Sequence, residues 1–148
     1  MSSPIQDADH LARNVADAML EREGTASNWG LVIETAKVGY ARVRMVLRAD
    51  MLNGHRTAHG GMIFALADTA FAYACNSRNQ ITVAQQASIH FLAPAHEGDV
   101  LIAEAYEDAV IGRSGSYRVD VRTKAGRPIA YFQGLSRTIG GAILPLEE

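Results

Sequence analysis

Cysteine is nearly missing from this chain: Cys75 is the single one in 148 residues. One thiol makes no internal disulfide, and no cysteine-based metal site closes within one chain. That usage fits a reducing compartment. Charge of one sign is equally scarce. The formal net charge is −2, so no large basic field points to nucleic acid, although a small local patch would still serve a phosphate group. Long apolar runs are absent too. The longest, Met62 to Ala67, falls far short of the roughly 20 residues that cross a bilayer. The opening Met1-Ser2-Ser3-Pro4-Ile5-Gln6-Asp7 lacks the basic start and apolar core of a secretory signal. The expectation is a cytoplasmic protein with no nucleic-acid partner and no membrane. There is no Gly-x-Ser-x-Gly elbow to support a serine hydrolase triad, and no dinucleotide or phosphate-loop motif. Repeats and low-complexity segments are also absent.

What is present is an ordinary globular balance, 48% hydrophobic and 20% charged, at a length that fits one domain spanning residues 1–148. Leu11, Val15 and Met19 recur at helical spacing, with Ala12, Ala16 and Leu20 beside them, which predicts a helix over Asp9 to Arg22 in an N-terminal region 1–24. Asp7 or Asp9 is expected to cap its start and Gly24 its end. Thr25 to Gly30 reads as a turn. Leu31 to Lys37 and Tyr40 to Arg48 read as strands joined at Val38-Gly39. In the second, Ala41, Val43, Met45 and Leu47 alternate with Arg42, Arg44, Val46 and Arg48, one buried face against one wet face. Asp50 to Ala58 is a polar loop with Asn53-Gly54 as its turn signal.

Gly60 to Cys75 carries most information. From Met62 onward every residue of it except Asp68 and Thr69 is apolar, so it reads as a buried central helix. Four strand-like runs follow: Ile81 to Phe91, Val100 to Ile111, Tyr117 to Thr123 and Ile129 to Ile139. Short turn-rich links separate them, which predicts antiparallel neighbours. Residues 141–148 form a short tail. The order helix, two strands, buried helix, four strands fits an α+β fold in which an antiparallel sheet wraps one apolar helix, the hotdog arrangement.

The chemistry-bearing residues sit around that helix. A carboxylate at Asp68 inside an apolar helix is costly unless paired, which marks it for acid–base or nucleophilic work. The plain alternative is a solvated or salt-bridged Asp on the helix's one wet stripe. Gly60 and Gly61 open the helix, where free N–H groups favour negative charge and glycine admits close approach. Together they suit an oxyanion hole, or else simply close packing of helix on sheet. Gly60 and Asp68 lie eight residues apart, about 12 Å along a helix. One carbonyl cannot touch both in the same chain, so a site using both needs two chains, with central helices side by side and antiparallel. His55 and His59 have a spacing that invites a metal, but nothing nearby completes a ligand set, and no metal is expected. His59 instead orients a carbonyl or holds the loop. Asn53 is a turn residue or an amide donor to substrate. Cys75 reads as a small buried hydrophobe.

The stretch Asp50 to His55, then His59-Gly60-Gly61-Met62-Ile63-Phe64-Ala65-Leu66-Ala67-Asp68-Thr69-Ala70-Phe71 through Ser77, resembles the phenylacetic-acid-degradation thioesterases of PaaI type. Phe91-Leu92-Ala93-Pro94-Ala95 with Gly98-Asp99 extends the likeness. The resemblance implies a hotdog dimer, usually paired into a tetramer, that hydrolyses aryl- or hydroxyphenylacetyl-CoA with no cofactor. It implies Asp68 as catalytic carboxylate, base or nucleophile, and Gly60 of the partner subunit as oxyanion donor, with Asn53 and His59 near the thioester carbonyl. Gly61 and Thr69 border the substrate. Arg113, Arg137 or Arg56 could pair with the CoA phosphates, or be plain surface charges. Arg56 stands where the family has a small residue, and Ala84 where some relatives carry a water-holding serine, with Gln85 or Gln86 as replacements. Two rivals are a hotdog hydratase or dehydratase, which should show a His–Asp pairing, and a non-catalytic acyl-CoA sensor.

Overall fold

A computed structural model describes residues 1–146 of the chain. Glu147 and Glu148, the end of the expected tail, lie outside the described residues. The N-terminal helix α1 runs Pro4–Arg22, longer than the periodic segment suggested. Neither Asp7 nor Asp9 caps it. Ser3 does, through a reciprocal pair in which its Oγ accepts the Gln6 N–H at 3.2 Å and Gln6 Oε1 accepts the Ser3 N–H at 2.8 Å. Pro4 occupies the first turn, where a missing N–H costs nothing. Asp9 instead accepts the Val38 N–H at 3.0 Å, tying the helix to the first hairpin. The C-terminal cap is Glu23 in extended backbone, not Gly24.

Strands β1 (Val32–Lys37) and β2 (Tyr40–Val46) form the first hairpin. A 3-10 turn over Ala49–Met51 buries Met51 inside what reads as a polar loop. Helix α2 spans Gly60–Cys75, the bounds the sequence predicts. Then come β3 (Thr82–Phe91), β4 (Val100–Ile111), β5 (Ser114–Thr123) and β6 (Pro128–Thr138). β5 begins earlier than expected. Ser114-Gly115-Ser116 looks like turn material, yet it pairs with β4 and β6, leaving only Gly112-Arg113 as the hairpin tip. Gly115 is needed there, because an added Cβ would lie 2.7 Å from Ser136 Oγ and 2.7 Å from the Tyr117 ring.

All six strands pair antiparallel in one sheet of order β1-β2-β4-β5-β6-β3. The sheet curls around α2, the hotdog arrangement the sequence pattern predicts. Its inner face presents Ala41, Val43, Met45, Leu101, Val119 and Phe132, all buried, to Ile63, Leu66, Ala67, Ala70 and Phe71 of α2. Each full burial of a large apolar side chain contributes about 1.5–3 kcal/mol. Phe71 stacks at 5.4 Å from Tyr117 and 5.8 Å from Phe132. It reaches them because Gly134 has no side chain: a Cβ there would meet the Phe71 ring at 2.7 Å.

The two ends of the sheet differ. β1 carries a bulge and an ion-paired Glu34, held by Arg42 and Arg44, features that discourage further pairing. β3 pairs only with β6, and its ten residues include no lysine, arginine, carboxylate or proline. Its one irregularity is a bulge between Ala84 and Gln86.

Candidate active site

The loop leading into α2 is built around Asn53. Its Oδ1 accepts the N–H groups of His55 at 2.9 Å and Thr57 at 3.2 Å, and its Nδ2 donates to Thr57 Oγ1 at 3.0 Å. The Asn53 amide is therefore the frame of the turn. Arg56 sits at φ 60° inside it, a left-handed conformation that few side chains favour. The loop is pinned below by Ala58 N–H to the Ala95 carbonyl at 2.8 Å and by His59 N–H to the Met51 carbonyl at 2.9 Å.

His59 is the N-cap of α2, and its Nδ1 accepts the Gly61 N–H at 2.9 Å. With Nδ1 as the acceptor, Nε2 is left as the ring's donor. It also occupies the Gly61 donor. The Gly60 N–H has no partner among the described residues, so it is the free donor at the positive end of the helix. Beside it lies a cavity of about 370 Å³, lined by Asn53, Thr57, Gly60 and Ile63 and by the segment Phe91 to Pro94. Phe91 is a residue that sequence reasoning left without a role. Its ring lies against Gly60, and only its apolar character at a strand end hinted at exposure to a ligand.

Asp68 lies two turns along α2, on a stripe with Gly61, Phe64, Ala65 and Ala72 that stays partly open, while the opposite side from Ile63 to Cys75 is buried. Its carboxylate makes no hydrogen bond or ion pair among the described residues, and burial raises its pKa above the ordinary 3.8. Of the plain alternative, the salt bridge is absent among the described residues, while the place on the helix's partly open stripe is what the fold shows. Thr69, its neighbour, is buried and its hydroxyl donates to the Ala65 carbonyl at 2.7 Å, the back-bond habitual for Thr inside helices. Cys75 behaves as a small hydrophobe: burial pushes its thiol up to about 12, which silences it as a nucleophile.

Arg113 and Arg137 come together at the β5–β6 end of the sheet. Ser114 is paired with Arg137, and the Thr138 N–H donates to the Arg113 carbonyl at 2.8 Å. Both side chains are exposed and, like Arg56, belong to no ion pair among the described residues. They stand near the C-terminal end of α2, away from Gly60 of the same chain. Among the described residues no three His, Cys, Asp or Glu side chains converge in a metal-holding group, and no helix is long and apolar enough to cross a membrane.

An antiparallel sheet curled around one central helix defines a hotdog-fold protein. Residues 55–130 match the family model described as Thioesterase superfamily, and the chain belongs to that superfamily. It is 42% identical over 134 residues to the acyl-coenzyme A thioesterase PaaI of Escherichia coli, covering 90% of this chain and 96% of that protein. The structure of the E. coli PaaI protein from the phenylacetic acid degradation operon superposes with a TM-score of 0.89 at 41% identity, over 91% of this chain and 98% of that one. A mutant of the phenylacetic acid degradation protein PaaI from Thermus thermophilus gives 0.76 at 35% identity, over 79% and 100%. The PaaI-type resemblance and the hotdog fold read from the sequence are both borne out, and the chain is a thioester hydrolase.

Proposed function

We propose that this protein hydrolyses aryl-acyl-CoA thioesters, phenylacetyl- or hydroxyphenylacetyl-CoA, at a site shared by two chains, with Asp68 of one and Gly60 of the partner subunit. The observation that carries the reading is the separation of two unsatisfied groups. Asp68 has an unpaired carboxylate and Gly60 a free N–H, yet about 12 Å of helix divides them. A second copy removes the difficulty. The open, uncharged edge of β3 is a template for another strand. Antiparallel pairing of β3 with its own copy extends the sheet and lays the two α2 helices antiparallel on one face. The Gly60 end of one helix then approaches Asp68 of the other, in two equivalent sites.

In the proposed reaction the carbonyl oxygen takes the Gly60 N–H. Asp68 accepts a proton from water as its oxygen attacks the carbonyl carbon. The C–S bond breaks, and the proton passes from Asp68 to the departing CoA sulfur, leaving the carboxylic acid and free CoA thiol. A carboxylate with a raised pKa and no partner among the described residues is suited to that shuttling. His59 Nε2–H and the Asn53 loop border the carbonyl. Gly61 contributes its bare backbone rather than its N–H, and Thr69 packs beneath the carboxylate. Arg113 and Arg137 are assigned to the CoA phosphates, because they are unpaired arginines near the C-terminal end of α2, about 10 Å of helix beyond Asp68. Pairing of two dimers would give the homotetramer. No cofactor takes part, and the setting assigned is the cytoplasm.

The test is thiol release from phenylacetyl-, hydroxyphenylacetyl-, benzoyl- and straight-chain acyl-CoA by wild type and Asp68→Ala of equal oligomeric mass. Turnover of the aryl esters that Asp68→Ala loses supports the reading. Binding without release from any ester overturns it in favour of an acyl-CoA sensor or hydratase.

A further inference from the structure

Phe91 is the last residue of β3 and keeps 54% of its surface exposed in the isolated chain. Its ring is nevertheless placed against one spot in the fold. A Cβ built on Gly60 would lie 3.1 Å from Phe91 Cζ and 3.4 Å from Cε1. The ring therefore borders the bare backbone of the first residue of α2, beside the free Gly60 N–H. Leu92, 60% exposed, follows it, and Ile63 and Ala93 complete the apolar side of the same cavity, while Asn53 and Thr57 make its polar side. The walls are fixed. The N–H groups of Leu92 and Ala93 both donate to the Ile129 carbonyl, at 2.8 and 3.3 Å, and the Arg127 guanidinium donates to the Pro94 carbonyl at 2.8 Å.

The two sides of the cavity match the two arms of a thioester. The arm leading through sulfur carries amides and a hydroxyl and suits Asn53 and Thr57. The acyl arm is apolar and suits Phe91, Leu92 and Ile63. We infer that Phe91 determines acyl specificity: its ring is the wall against which the acyl group lies when the carbonyl oxygen is held by the Gly60 N–H, and a flat aryl group stacks there better than an alkyl chain of similar size. This rests on the proposed thioesterase reading. A stacked aromatic pair exceeds its area burial by enough to change affinity up to about tenfold.

The experiment compares wild type, Phe91→Leu and Phe91→Tyr on phenylacetyl-CoA and hexanoyl-CoA, with oligomeric mass checked by light scattering. Expected is a KM for phenylacetyl-CoA raised about tenfold in Phe91→Leu with kcat held, a change below about twofold for hexanoyl-CoA, and recovery in Phe91→Tyr. Equal losses on both esters, with or without a change of mass, make the ring a contact to the CoA arm or to the partner chain and overturn the inference. So does no change on either. Binding of the non-hydrolysable S-(2-oxo-3-phenylpropyl)-CoA, measured by calorimetry on the same variants, separates the two readings. Aryl binding weakened by Phe91→Leu without turnover in wild type sinks the hydrolase and keeps Phe91. Turnover without discrimination does the reverse.

Discussion

The imidazole of His59 folds over the start of α2 and takes the Gly61 N–H at 2.9 Å, so the two glycines that open the helix are not equivalent. One donor is spent on the cap, and the other, on Gly60, has no partner among the described residues.

A cap of this kind has a measurable worth. His59→Ala should lower stability by about 1 kcal/mol, read from denaturant midpoints. His59→Asn, which keeps an N-cap acceptor, should recover most of it. The two roles given to His59 then separate. If Asn restores stability but not thiol release, the ring also contacts the carbonyl through Nε2. If both return together, capping is its whole contribution.

Asp68, the proposed catalytic carboxylate, also bears on stability. Burial raises its pKa above 3.8, so the folded chain holds its proton more tightly than the unfolded chain. Stability then falls as pH rises from 3.8 through the folded value, and the full penalty stands at neutral pH. Asp68→Asn should therefore raise the melting temperature at pH 7, and the gain should shrink towards zero as pH is lowered to 3.8. Thiol release should be lost in the same variant. In wild type the acid limb of kcat should lie above 3.8. A variant less stable than wild type at pH 7 would show that the carboxylate has a partner in the assembled protein.

Much of this was legible from local pattern. The run of apolar residues behind Gly60-Gly61 located α2 to the residue, and the alternation in Tyr40 to Arg48 located β2, which ends two residues sooner at Val46. What escaped was decided at a distance or outside any periodicity. Ser3 and Gln6 cap α1 before its apolar spacing begins. Ser114 to Ser116 have turn-like residue types, yet they are strand because they pair with β4 and β6, and glycine at 115 leaves the room that Ser136 and Tyr117 take. The contact of Phe91 with Gly60 joins the end of one strand to the start of a helix well before it in the chain, and no spacing rule reports such a pair. Asp68 stood out in sequence as a charge in an apolar helix. That it has no partner among the described residues needed coordinates.

On the outer face of the sheet, Glu104 is almost fully buried. Burial opposes its charge, but hydrogen bonds from Tyr40, Tyr106 and Arg122 outweigh that and lower its pKa below 4.5. Its stabilisation is present above 4.5 and is lost as pH falls through the lower folded value. Glu104→Gln should cost about 2 kcal/mol at pH 7, with the deficit narrowing in acid. The residue faces away from α2, so kcat per folded protein should be unchanged.

Packing beneath the helix gives a sharper case. Gly134→Ala would place a methyl 2.7 Å from the Phe71 ring, which itself contacts Tyr117 and Phe132. A ring clamped on both sides cannot yield cheaply, so a loss of about 1–3 kcal/mol is expected. Gly134→Ala combined with Phe71→Leu should lose less than the two single changes summed, the sign of a shared steric cause.

The decisive structural prediction concerns the open edge of β3. Gln86 and Ser88 are exposed on it and pair on their other side with Leu135 and Gly134's neighbour Gln133 in β6. In an antiparallel pairing of β3 with its own copy about a two-fold at Ala87, position 86 of one strand lies opposite position 88 of the other, so lysine at both sets like charges directly opposed, which destabilises a sheet. The double variant Gln86→Lys, Ser88→Lys should therefore fold with an unchanged far-ultraviolet spectrum but show a protomer mass by light scattering. Thiol release should fall with it, because each Asp68 then lacks Gly60 of the partner subunit. Mixing Asp68→Ala with Gly60→Pro, which removes the backbone N–H, adds a complementary result. Each variant alone should be inactive, while exchanged heterodimers contain one site with both wild-type groups and should regain a fraction of the activity. A monomeric lysine variant that retains full thiol release would place both groups at work within one chain, and the two-chain site would be wrong.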